Sequence, residues 1–168
     1  MIQSVSKKKT FEAVYEESYE KLYKYAYMLL LNREDAEDIV SESFMAAFSH
    51  YAEYDPDKGS ILAWISRIAH NKAINLMNSS YYKSRNPIPK EDIQGTGDHL
   101  LSGMTATNET AELILSHLDL QEREFLNLRY GLELSDKEIG KMLDMKENTV
   151  SKRYQRLLRK CRDIADNN

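Results

Sequence analysis

The stretch LSDKEIGKMLDMKENTVSKRYQRLLRK, residues 134–160, decides how the rest of the chain is read. Ser135 stands just ahead of an apolar-periodic segment and Glu138 follows three residues on, the reciprocal pair that caps the start of a helix. Ile139, Met142 and Leu143 then share one helical face. The pattern breaks at Asp144, Met145 and Lys146 and resumes with Val150, Tyr154 and Leu157, so the spacing predicts two short helices joined by a tight turn. Gly140 supplies the small residue the first helix needs where the second crosses it, and Met145 supplies an apolar wedge for the turn. These are the demands of a helix-turn-helix, whose second helix lies in the major groove of DNA with its N-terminal residues at base edges. Its outward face carries Asn148, Thr149, Lys152, Arg153 and Arg156, the candidates for duplex contact.

Within residues 146–162 seven basic side chains stand against Glu147, a net of +6, so the other residues carry −10 within a chain of net charge −4. A charge run is usually a solvated helix face. The capping pair, wedge and small residue in the same segment argue instead for a surface that meets a polyanion.

At 168 residues the chain has room for one domain or two small ones. Its longest apolar stretch, residues 26–31, is far short of the ~20 residues that span a bilayer. The N-terminal MIQSVSKKKTF has no hydrophobic signal core, so a soluble, cytoplasmic protein without membrane insertion is expected. The single Cys161 cannot form an internal disulfide, which fits a reducing compartment. His50, His70, His99 and His117 lack ligand spacing, and there is neither a glycine-rich phosphate loop nor a nucleophile elbow. The expectation is therefore no metal, no cofactor, no small-molecule substrate and no catalysis.

Phe11, Val14, Tyr15, Tyr19, Leu22, Tyr23, Ala26, Leu29 and Leu30 recur at helical spacing and predict a long first helix with an aromatic stripe in the core. Asn32 caps a second helix, running to about Tyr51 on Ala36, Ile39, Val40, Phe44, Ala47 and Phe48, with Glu34, Asp35, Glu37, Asp38 and Glu42 opposite. Pro56 and Gly59 punctuate a loop at residues 54–59. Ser60 caps a third helix on Ile61, Trp64, Ile65, Ile68, Ala69, Ala73 and Leu76. Residues 79–110 have few apolar anchors and several breakers, predicting an acidic linker with at most a short helix near residues 99–104. Beyond it, Leu113, Leu115 and Leu118 predict a short helix, and Asp119 with Glu122 caps another on Phe125, Leu126 and Leu128 that ends near Gly131. The expected architecture is all-α, two small helical domains joined by a flexible linker. The divisions fall at a tail 1–10, a first domain 11–80, a linker 81–110 and a helix-turn-helix domain 111–168.

Two segments carry a resemblance. REDAEDIVSESF (33–44) followed by WISRIAHN (64–71) resembles region two of bacterial RNA polymerase sigma factors of the short, extracytoplasmic-function type. Residues 118–162, including LRYGL (128–132) and LSDKEI (134–139), resemble region four. The resemblance implies a transcription initiation factor that binds core RNA polymerase. Region two would dock on the β′ clamp helices and melt the promoter −10 element, while region four would read the −35 element and touch the β flap. The linker would thread into the polymerase near the RNA path, where acidic side chains suit basic walls. Anti-sigma partners are common in this family, and no surface in the sequence can be told apart as one.

Carried over residue by residue, the resemblance implies polymerase contact by Asp35, Asp38 and Glu42. It implies −10 contact by Tyr54 and Lys58 in the loop and by Arg67, His70, Asn71 and Asn75 on the third helix, with Tyr54 as a stacking platform for an unstacked base. Trp64 would lie buried beneath that surface. The −35 element would fall to Asn148, Thr149, Lys152, Arg153 and Arg156. The chain departs from the family where NSSYY (78–82) precedes Lys83 and Arg85, so Tyr81 or Tyr82 would substitute for arginines by stacking. Asp144 stands where a glycine is usual in the turn, Lys146 replaces a Ser or Thr cap, and Ser151 replaces a common basic residue.

Two rival readings differ in class. An autonomous helix-turn-helix regulator would need a dimer to read paired half-sites, and the acidic N-terminal bundle offers no leucine seam for one. An enzyme holding Mg²⁺ on the carboxylates of residues 34–38 would need a second carboxylate-rich helix or a phosphate-binding lysine, and neither is present.

Overall fold

The computed structural model describes residues 9–85 and 109–167. The expected acidic stretch with its short helix near residues 99–104 lies outside the described residues. Helix α1 (Phe11–Leu30) is capped by the Thr10 side chain. It ends at Leu31, which adopts a left-handed φ of 51° and hands directly to Asn32, the cap of α2 (Arg33–Ser49). Two 3-10 turns, Tyr51–Glu53 and Pro56–Lys58, lead to α3 (Ile61–Asn78), where Ser60 accepts from the Ala63 amide as its sequence position predicts. Val14, Leu22, Tyr25, Ala26, Val40, Ile65 and Ala69 interlock the three helices, and full burial of a large apolar side chain contributes ~1.5–3 kcal/mol.

Helix α4 (Ser80–Arg85) extends the first bundle into the segment expected to be linker. It has no buried residue of its own and is tied down by polar contacts. Tyr82 donates to the Leu30 carbonyl (2.8 Å), one of the acceptors left open at the end of α1, and Arg85 reaches the Asp35 carboxylate (3.3 Å).

The second bundle comprises α5 (Glu109–Ser116), α6 (Leu120–Leu126) running into a π-helical turn Asn127–Gly131, α7 (Asp136–Leu143) and α8 (Glu147–Asp166). Both predicted capping pairs form, Asp119 with Glu122 and Ser135 with Glu138. Leu118, Phe125, Leu128, Leu132, Leu134, Ile139, Val150, Tyr154 and Leu157 fill the core. The two bundles pack against each other, α1 against α6 and the π turn, and α3 against α7.

Two expectations need correction. Helix α2 stops at Ser49 rather than near Tyr51, because the chain tightens into a 3-10 turn. Phe48, expected in the core, is 65 % exposed: at the end of α2 only the Phe44 and Ala47 side is covered, and Phe48 touches the bundle through the edge of the Phe11 ring (5.2 Å).

Candidate nucleic-acid interface

The helix-turn-helix is built as its spacing predicts, with one refinement. Gly140 must be small because of the turn's own backbone rather than a crossing side chain: a Cβ there would stand 2.5 Å from the Met145 carbonyl oxygen. Asp144 takes the left-handed conformation (φ 54°), so aspartate serves in the turn where a glycine was expected. Met145 is half-buried against the core, and Lys146 provides no side-chain cap for α8, as its chemistry predicts.

Val150, Tyr154 and Leu157 turn inward and Asn148, Thr149, Lys152 and Arg156 outward, all four exposed. Arg153 is different. Its guanidinium lies 4.8 Å over the Phe125 ring and reaches the Gln121 side chain, so it braces α8 on α6. Gln155 and Arg159, which the helix-turn-helix pattern does not single out, are exposed and continue the outward face at helical spacing. Lys160 turns back to pair with Glu122 (2.7 Å). The Tyr154 hydroxyl donates to the Phe125 carbonyl, and the Arg129 guanidinium sits 4.4 Å over its ring. Burial holds that phenol well above its ordinary value, so it stays a neutral donor.

On the first bundle, Asp38 and Glu42 lie on the solvent side of α2, where Lys72 of α3 pairs with Glu42 (3.0 Å). Met45, 70 % exposed, follows Glu42 on the same side, and Phe48 lies one turn on. Asp35 is only 8 % exposed and is engaged by Arg85, so it holds α4 rather than facing outward with Asp38 and Glu42. Tyr82 is committed to the Leu30 carbonyl, whereas Tyr81 is exposed beside Arg85 (2.7 Å to its hydroxyl).

The loop at residues 54–60 is ordered by its own contacts. Tyr54 donates to the Gly59 carbonyl (3.0 Å) and leans on the half-buried Trp64 (ring centres 5.4 Å apart), and Gly59 has a φ of 155° that a side chain would strain. Lys58, Arg67, Asn71 and Asn75 are exposed. His70, expected among them, is not: its side chain is 13 % exposed and points into the seam between the bundles.

That seam is polar. The Tyr25 hydroxyl, fully buried, donates to Glu124 Oε1 (2.8 Å) and lies 2.7 Å from His70 Nδ1, while His70 Nδ1 is 3.2 Å from the same carboxylate. With its one proton given to Glu124, the tyrosine oxygen is left to accept from an Nδ1-protonated His70. Burial, then Glu124, pushes the Tyr25 phenol well above its ordinary value. Elsewhere between the bundles Glu138 caps two helices with one carboxylate: Oε2 accepts from the Ser135 amide (2.9 Å) and Oε1 from the Ser60 amide (2.7 Å). Burial alone would raise this carboxyl, but the donors from Ser135 and Ser60 together hold it below its ordinary value. Lys141 donates to the Lys58 carbonyl (2.7 Å), and Lys21 pairs with Glu133 (3.1 Å) at the rim. The sequence signals the Ser135–Glu138 cap, but no single segment signals the contacts that cross the seam, because those pair residues from different bundles.

Among the described residues no helix is long and apolar enough to cross a membrane, and no group of three or more His, Cys, Asp or Glu side chains is placed to hold a metal.

Comparison with known proteins converges on one family. The family model described as Sigma-70 region 2 matches residues 14–81, and that described as Sigma-70, region 4 matches residues 109–161. The chain is similar to the ECF RNA polymerase sigma factor SigW of Bacillus subtilis, at 28 % identity over 160 residues, covering 86 % of this chain and 85 % of that one. It is similar to SigK of Mycobacterium tuberculosis at 24 % identity over 164 residues, covering 93 % and 86 %. A solved structure of CnrH in complex with the cytosolic domain of CnrY shares the fold, with a TM-score of 0.62 at 23 % identity over 94 % of this chain and 88 % of that one.

Proposed function

From its membership of the extracytoplasmic-function sigma factors of the sigma-70 family, which direct RNA polymerase to promoters, we propose how this chain divides that work among its side chains. Sigma factors are initiation factors and not enzymes, so what has to be assigned is binding. The observation that carries the assignment is the split in surface chemistry between the bundles.

Lys152, Arg156 and Arg159 form an exposed cationic stripe along α8, flanked by Asn148, Thr149 and Gln155. The cations hold the phosphates of the −35 duplex and the amide and hydroxyl groups at the start of the helix meet base edges. Arg153 supports this helix from beneath. Across the first bundle, Asp38 and Glu42 with Met45 and Phe48 beyond them make an acidic face with an apolar anchor, suited to a basic, partly apolar surface on core polymerase such as the β′ clamp helices. Region four's contact with the β flap belongs to the same docking.

The melted −10 strand falls to Lys58, Arg67, Asn71 and Asn75, with Tyr54 and Trp64 as the aromatic platform. The complex of CnrH with the cytosolic domain of CnrY supports a protein partner for this chain as well. Acting with polymerase on promoters places the protein in the cytoplasm.

The test is a pull-down with bacterial core RNA polymerase, followed by run-off transcription on sheared genomic DNA. Binding with discrete transcripts is expected and yields the promoter sequences. No binding to core, with tight salt-sensitive affinity for free duplex, would overturn the assignment in favour of an autonomous regulator.

A further inference from the structure

We propose that His117, which lies outside the helix-turn-helix, joins Arg156 and Arg159 in a phosphate site at the far half of α8, and that this histidine makes −35 binding tighten as pH falls. The inference rests on the −35 assignment above and adds to it a residue and a regulation. Three observations carry it.

The first is shape and charge. His117, one residue beyond α5, lines an open notch of about 530 Å³ together with Arg156, Arg159, Lys160 and Asp163 of α8. His117, Arg156 and Arg159 are exposed. Lys160 is committed to Glu122 (2.7 Å), and Arg123 of α6 donates to the Leu115 and Leu118 carbonyls (3.0 Å each). Asp119 and Glu122 are engaged in their capping pair. The notch therefore offers an entering group two guanidinium forks and an imidazole against the carboxylate of Asp163. That composition suits an anion, and the forked donors of arginine match the oxygens of a phosphate.

The second is position. Arg156 and Arg159 continue at helical spacing the stripe that begins with Lys152. Ten residues separate Thr149 from Arg159, ~15 Å of helix at ~1.5 Å per residue, whereas the major groove is ~12 Å wide. A helix whose start reaches base edges has left the groove by Arg159, and what it passes there is sugar-phosphate backbone. The phosphate that fits the notch thus belongs to the duplex flanking the −35 element rather than to a free phosphate compound.

The third is the proton. His117 Nδ1 lies 2.8 Å from the Leu113 carbonyl oxygen. A carbonyl only accepts, so Nδ1 carries the hydrogen and Nε2 of the neutral ring has only a lone pair. To donate to a phosphate oxygen, Nε2 must take up a proton, and histidine is the side chain whose charge ordinarily changes between about pH 5 and 8. A proton bound along with the DNA makes affinity rise as pH falls, by at most about tenfold per pH unit.

The experiment compares the parent chain with His117→Gln, which cannot take up the proton, and with His117→Arg, which carries a permanent charge. Each is loaded on core polymerase and titrated with a promoter duplex from the run-off screen, in phosphate-free buffer from pH 6 to 8. The ratio of the parent's affinity to that of His117→Gln isolates the contribution of His117 and is expected to rise at least about fivefold from pH 8 to pH 6. His117→Arg is expected to bind more tightly than the parent at pH 8 and to match it at pH 6. A ratio that stays constant would overturn the inference. So would a His117→Arg chain that binds like His117→Gln throughout, since the histidine would then serve only to support α5. A constant ratio with inorganic tripolyphosphate raising the thermal midpoint of the free parent chain, but not of His117→Gln, would assign the notch to a free phosphate compound instead. A parent holoenzyme that binds the promoter at no pH would overturn the functional assignment beneath the inference.

Discussion

Gly140 and Met145 meet backbone to backbone: the Met145 amide donates to the Gly140 carbonyl at 2.8 Å, and a Cβ on Gly140 would stand 2.5 Å from the Met145 carbonyl oxygen. Alanine is the better helix former by ~1 kcal/mol, but here its methyl strikes main chain that the left-handed Asp144 already fixes. Overpacking costs ~1–3 kcal/mol, so the clash wins. Gly140→Ala is expected to lower the thermal midpoint and weaken −35 binding while core polymerase binding through α2 persists. A higher midpoint would show that the turn relaxes freely.

Lys152→Ala and Arg156→Ala each remove an exposed cation from the DNA-facing side of α8. For each phosphate that is no longer neutralised, the slope of log affinity against log salt should flatten by about 0.9. Arg153→Ala should behave differently, since its guanidinium lies on Phe125. It should cost ~0.5–1 kcal/mol of stability and leave the salt slope nearly unchanged. Duplex titrations at several salt concentrations, set beside urea unfolding, separate the two classes.

The helices were legible in the sequence because their starts are chemically marked: Asn32, Ser60, Asp119 and Ser135 all cap where their spacing placed them. What escaped was anything that depends on a partner distant in the chain. His70 sits at a helical position from which a −10 contact was expected, and nothing local tells that Tyr25, 45 residues earlier, and Glu124 will enclose it. Helix α4 has no apolar period and is held by Leu30 and Asp35. Phe48 fits the period of the core face, yet the period reports direction and not whether a neighbouring element reaches that far.

Asp38→Ala should weaken core polymerase binding without a change in thermal midpoint, because Asp38 is exposed on the solvent side of α2. Met45→Ala should weaken it further. An apolar anchor at an interface centre costs more than 1 kcal/mol when truncated, roughly a fivefold or larger loss at ~1.4 kcal/mol per decade. Normal binding of core by both variants would remove this face of α2 from the interface.

Glu138 gives the seam a pH dependence whose sign follows from its donors. The amides of Ser135 and Ser60 favour the carboxylate, so its value in the folded chain lies below the ordinary 4.5. A group lowered on folding contributes its stability in full above its unfolded value and loses it as pH falls through the folded one. The stability difference between the parent chain and Glu138→Gln should therefore be constant from pH 7 to about 5.5 and shrink below 4.5. Comparing the two chains isolates the contribution of Glu138 from that of the other charged groups near the seam. Urea unfolding at stepped pH measures the difference, and one that grew on acidification would mean that Glu138 is held protonated against α3 rather than accepting from the Ser60 amide as a carboxylate.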